Sequence, residues 1–78
     1  MQKTQPLRLD VRPLLAQNRP PMAAVLAAVN RLEPGQDLLV MAPFEPVPLY
    51  KLLLERGLVP ESRHLENGDW EILFKRAQ

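Results

Sequence analysis

The chain has 78 residues, 46% of them apolar, with ten basic and nine acidic side chains and a formal net charge of +1. A chain of this length holds one domain and buries only about 60% of its unfolded surface, so its stability margin is small. With no cysteine and a single histidine, His64, disulfides, thiolate catalysis, iron–sulfur clusters and cysteine- or multi-histidine metal sites are excluded, and the even charge gives no electrostatic reason to expect nucleic acid as a partner.

Leu7-Arg8-Leu9-Asp10-Val11-Arg12 alternates strictly. Period two over six residues predicts a half-buried strand, ended by Pro13. Residues 13–19 read as a loop, with Asn18 as the cap of a helix opened by Pro20 and Pro21, since proline is tolerated in a first helical turn. Met22, Val25, Leu26, Val29 and Leu32 follow helical spacing and form the inward stripe. Ala24, Ala27, Ala28 and Arg31 make the outer face, which is unusually poor in charge.

Glu33-Pro34-Gly35-Gln36 reads as a type II turn. Leu38 to Ala42 is apolar on both parities, which predicts a central strand. Pro43 to Pro48 leads into a second helix with Leu49, Leu52 and Leu53 inward and Gly57 past its end. Asn67-Gly68 predicts a type I′ hairpin between Glu61–Glu66 and Trp70–Lys75. That register sets Leu65 opposite Trp70, His64 opposite Glu71 and Arg63 opposite Ile72, with Trp70, Ile72 and Phe74 inward.

The expected order is β-α-β-α-β-β: an α+β two-layer sandwich with a four-stranded mixed sheet and two helices on one face. The domain is taken as 1–78, with its ordered core over about 6–76. There is no run of about 18 apolar residues to span a membrane, and the polar residues 1–5 lead into no signal-peptide core. The expected location is cytoplasmic.

The Leu9-Asp10-Val11-Arg12 strand, the Pro20-Pro21 helix opening and the Glu33-Pro34-Gly35 turn resemble the TusA/SirA-like superfamily. Phe44-Glu45-Pro46-Val47-Pro48-Leu49-Tyr50 looks like the Pro-x-Pro-Leu-Tyr segment of a bacterial branch, domain of unknown function 2249. The likeness runs from about Leu7 to Arg76. It implies the scaffold but not the chemistry, because sulfur carriers of the superfamily place a cysteine just before the helix-opening proline. Here that stretch is Asn18-Arg19-Pro20-Pro21, with Arg19 nearest to the cysteine's place, and an arginine cannot form a persulfide.

Candidate sites are sparse. Arg12 and Arg19 flank the loop leading into the first helix and could hold a small anion or an anionic cofactor at that helix's N-terminus, but the two prolines remove N–H donors. The plainer reading pairs Arg12 with a carboxylate and leaves Arg19 solvated. Asp10 and Glu45 lack a nucleophile or metal beside them, and His64 with Glu71 reads as an ordinary surface pair. The best partner-contact candidates are Ala24 and Ala27, which cost little to desolvate, and the segment holding Phe44, Val47 and Tyr50. With no catalytic constellation, no metal set and no cofactor motif, the expected role is non-catalytic binding or regulation through another protein. The alternative is a small-anion or cofactor-binding accessory to a redox or sulfur-related enzyme system. The sheet face away from the helices is left either solvated or paired with a second copy as a homodimer.

Overall fold

The structure is a computed structural model that describes residues 5–76. Residues 1–4, part of the polar N-terminal stretch, and residues 77–78 lie outside the described residues. The elements are β1 (Leu7–Asp10), α1 (Arg12–Ala16), α2 (Met22–Asn30), β2 (Leu38–Ala42), α3 (Val47–Leu54), β3 (Leu58–His64) and β4 (Trp70–Arg76). The four strands form one mixed sheet in the order β1-β2-β4-β3. β1 and β2 are parallel, and β4 runs antiparallel to both β2 and β3. This is the α+β sandwich expected from the sequence, with β2 central, and it carries one additional short helix.

That helix, α1, replaces the expected loop and shortens β1 to Asp10. The Asp10 carboxylate accepts the backbone N–H of Arg12 at 3.0 Å, which turns the chain out of the strand. Pro13 sits in the first turn of α1, where its missing N–H costs nothing. Asn18 does not cap the following helix. It has φ +58° and closes α1: Asn18 N–H donates to the Leu15 carbonyl at 3.1 Å and Arg19 N–H to the Leu14 carbonyl at 2.8 Å. This is a Schellman ending with asparagine in the left-handed position.

One layer of apolar side chains forms the core. Leu38, Val40 and Ala42 of β2 and Ile72 and Phe74 of β4 meet Val25 and Ala28 of α2 and Leu49 and Leu53 of α3, with Val11 and Leu58 at the ends. Ala28, expected on the outer face, is buried. The inward stripe of α2 is Val25, Ala28 and Val29, continued beyond the helix end by Leu32. Leu26, expected inward, stands outside the core cluster, and Met22 is left 38% exposed. The turn at Glu33 forms as expected: Gln36 N–H donates to Glu33 O at 2.9 Å, and Gly35 takes φ +79°.

The hairpin differs from expectation by one residue. Leu65 N–H donates to Asp69 O at 2.8 Å and Gly68 N–H to Leu65 O at 3.0 Å. Only Gly68, at φ +93°, is left-handed in this loop. The loop is therefore a three-residue connection, a type I turn followed by a bulged glycine, and not a two-residue type I′ turn. The shift flips the partner faces of β3. His64 pairs with Trp70, Arg63 with Glu71 and Ser62 with Ile72. Arg63 thus leaves the core side and forms an ion pair with Glu71 at 2.7 Å. His64 moves to the helix side and stacks on Trp70, with ring centroids 4.5 Å apart, so the expected His64–Glu71 pair does not form. β3 also starts earlier than expected, at Leu58, and carries Pro60, which an edge strand tolerates.

Two substitutions test this account by urea titration. Phe74→Ala, at a fully buried position, is expected to cost about 3–5 kcal/mol. Gly68→Ala, forced into a left-handed conformation, is expected to cost about 1–2 kcal/mol.

Candidate functional site

The parallel strands β1 and β2 both end beside the same short segments. Val11 follows β1 into α1, and Ala42 leads from β2 into the Pro43–Pro48 connection. Pro21 and Met22 at the start of α2, and Pro46, Pro48 and Leu49 at the start of α3, converge on that point. Together with Leu15 and Phe44 they line an apolar groove of about 200 Å³. None of its lining side chains is ionisable or carries an amide or a hydroxyl. Its prolines contribute no N–H, so whatever enters is held by desolvation and dispersion.

The rim is open. Phe44 is 53% exposed, Val47 55% and Met22 38%. Of the partner-contact candidates, Phe44 lines the groove and Val47 lies exposed beside it. Ala27 is exposed on α2, and Ala24 is half-buried. Tyr50 is engaged inside the molecule: its ring meets Phe74 edge-on at 6.3 Å, and its hydroxyl bonds to Ser62 and donates to Glu45 at 3.0 Å. Burial raises the Tyr50 pKa above its ordinary value. Val11 and Leu15 were missed as groove residues because a five-residue helix leaves too little periodicity to announce itself. Met22 was expected on the inward stripe of the next helix and instead stands exposed at its start. The crowd of prolines at 43, 46 and 48 was the available signal.

The arginines separate. Arg12 is clamped between two carboxylates, with Nε to Asp10 Oδ1 at 2.8 Å, Nη2 to Asp10 Oδ2 at 2.7 Å and Nη1 to Asp69 Oδ2 at 2.6 Å. It ties the end of β1 to the hairpin loop, 57 residues away in sequence. Arg19 is exposed and takes no part in that cluster. Among the described residues, no three His, Cys, Asp or Glu side chains stand close enough to hold a metal ion, and no helix is long and apolar enough to cross a membrane.

A small two-layer α+β domain with one proline-rimmed apolar groove is the class that this geometry defines. The chain belongs to the family described as "Uncharacterized conserved protein (DUF2249)", whose model matches residues 8–76. No curated protein and no solved structure matches the chain.

The Arg12 clamp has a pH signature. Hydrogen bonding from Arg12 holds the Asp10 carboxyl below its ordinary pKa. A lowered folded-state pKa adds stability above the unfolded value of 3.8, and that stability is lost as the pH falls through the folded value. Asp10→Asn is therefore expected to unfold at a lower urea concentration than the parent at pH 7. The gap should narrow as the pH is taken below the carboxylate range; an unchanged gap would exclude the clamp.

Proposed function

We propose that the chain is a non-catalytic protein-binding or regulatory module that uses the groove between α1, α2 and α3. The observation that carries this is the open apolar groove at the carboxyl ends of β1 and β2, rimmed by Met22 and Phe44. Open α/β sheets bind their ligands at that end of parallel strands. A dry cavity of about 150 Å³ accepts a benzene-sized molecule, so a groove of this size suits one large apolar side chain from a partner. Prolines at the rim keep it preformed and reduce the entropy lost on binding.

The reading includes a thiol-free variant of the TusA/SirA-like scaffold and a bacterial, cytoplasmic setting, which rest on the sequence resemblance and the balanced composition. Sulfur transfer is left out because the chain has no cysteine. The anion-binding alternative is weakened because the Arg12 charge is already met by Asp10 and Asp69.

The test is amide NMR with indole as the probe, followed by native affinity capture. Indole should shift Val11, Ala42 and Leu49 and leave β3 unmoved. A captured partner should be lost on Phe44→Ala with no fall in urea midpoint, because that side chain is more than half exposed. No shift at those amides, or a partner retained by the variant, rejects the reading.

A further inference from the structure

The second unassigned surface is the sheet face opposite the helices. Leu39, Met41 and Leu73 lie on it, half-buried and outside the core cluster. A shallow depression of about 380 Å³ runs between Leu39, Leu73 and the Arg63–Glu71 pair, and no helix residue lines it. A face that mixes apolar and charged side chains calls for comparison with its own image, because a two-fold interface must be complementary to itself.

The strand register fixes what stands level with what. One row across the sheet reads Arg8, Leu39, Leu73, Glu61. The next reads Asp10, Met41, Glu71, Arg63. In the row on the other side, Lys75 stands beside Val59. Carried one residue past the Leu38–Phe74 pair, the antiparallel β2–β4 register brings Asp37 level with Lys75.

Stacked sheets pack with their strands within about 30° of each other, so a row of one copy faces a row of the next. A two-fold axis parallel to the strands, between β2 and β4, lays β1 over β3 of the partner and β2 over β4. Arg8 then faces Glu61 of the partner subunit, and Asp10 faces Arg63 of the partner subunit. Within each copy Asp10 is also paired with Arg12, Arg63 with Glu71, and Glu61 with Lys75 at 3.5 Å. Of these four facing charges, Arg8 enters the pairing unmatched by these contacts. Leu39 faces Leu73 of the partner subunit, and Asp37 faces Lys75 of the partner subunit. Met41 over Glu71 of the partner subunit is the one mismatch. The perpendicular two-fold, centred on the same row, instead sets Arg8 against Arg8 of the partner subunit and Glu61 against Glu61 of the partner subunit. Like charges across an interface are costly.

We infer that this face is the interface of a homodimer whose two-fold axis runs along the strands. Four strands about 4.8 Å apart, each of about six residues, give a flat footprint of roughly 400 Å² per copy. The pair falls below the roughly 1,200 Å² at which stable interfaces begin, so the dimer is weak. It uses a different face from the groove, and Phe44→Ala is expected to leave it unchanged.

Sedimentation velocity on the whole chain, from about 5 µM to about 1 mM, reads the association directly. The parent chain should pass from monomer to dimer across that range. Arg8→Glu and Glu61→Arg, both at exposed positions, should each weaken the dimer at least about tenfold, because each sets like charges together twice. Mixed in equal amounts, the two variants should recover a dimer, since each supplies the charge that the other lacks. Lys75→Glu with Asp37→Lys repeats the exchange one row away and stands in if either first variant is unfolded by circular dichroism. A parent chain that stays monomeric throughout, or a folded mixture no heavier than its components, overturns the inference.

Discussion

The inner parity of β2 and β4 packs against α2 and α3, and the rest of the molecule depends on that contact. Leu38, Val40, Ala42, Ile72 and Phe74 meet Val25, Ala28, Leu49 and Leu53 in one continuous cluster. A domain this small has little else to offset its chain entropy. Ala28 has a particular part in it. A methyl group at the centre of the α2 stripe keeps that helix close to the sheet, where a larger side chain would overpack a filled layer.

That layer leaves two surfaces unfinished, for different reasons. At the carboxyl ends of β1 and β2 the helices begin beside prolines, whose backbone donates no hydrogen bond, so the gap between them is apolar. Among the described residues, the depression on the far side of the sheet is lined by strand residues and Pro6 with no helix, and alternation puts Leu39 and Leu73 at its middle. The first surface suits a guest side chain and the second a matching sheet.

Much of the architecture was legible in residues 7–10, 38–42 and 70–76, where period two or an unbroken apolar run leaves little choice, although the same alternation over Val11 and Arg12 did not continue the strand. The type II turn at Glu33 was legible because Pro34 and Gly35 each supply the dihedral their position needs. Less legible were the features set by single hydrogen bonds. Asp10 turns the chain into α1 through one bond to the Arg12 N–H, and Asn18 ends that helix where its residue type equally suits a helix start. Asn67-Gly68 fits either hairpin loop. The three-residue form sends Arg63 to Glu71 and His64 to Trp70, and so removes the core-side arginine that the shorter turn implied. For the site, Phe44 was visible as an apolar residue among prolines, whereas Val11 and Leu15 join it only once α1 exists.

Pro60 has a consequence for how copies of this chain can meet. It lies in β3, one of the two outer strands, and deprives that border of an amide donor. The other border, β1, is only four residues long. A strand from a neighbouring molecule therefore finds no long, regular ladder to extend on either side. Association through the flat of the sheet can stop at two, because lateral growth into ribbons, the route toward fibrils, is denied at both margins.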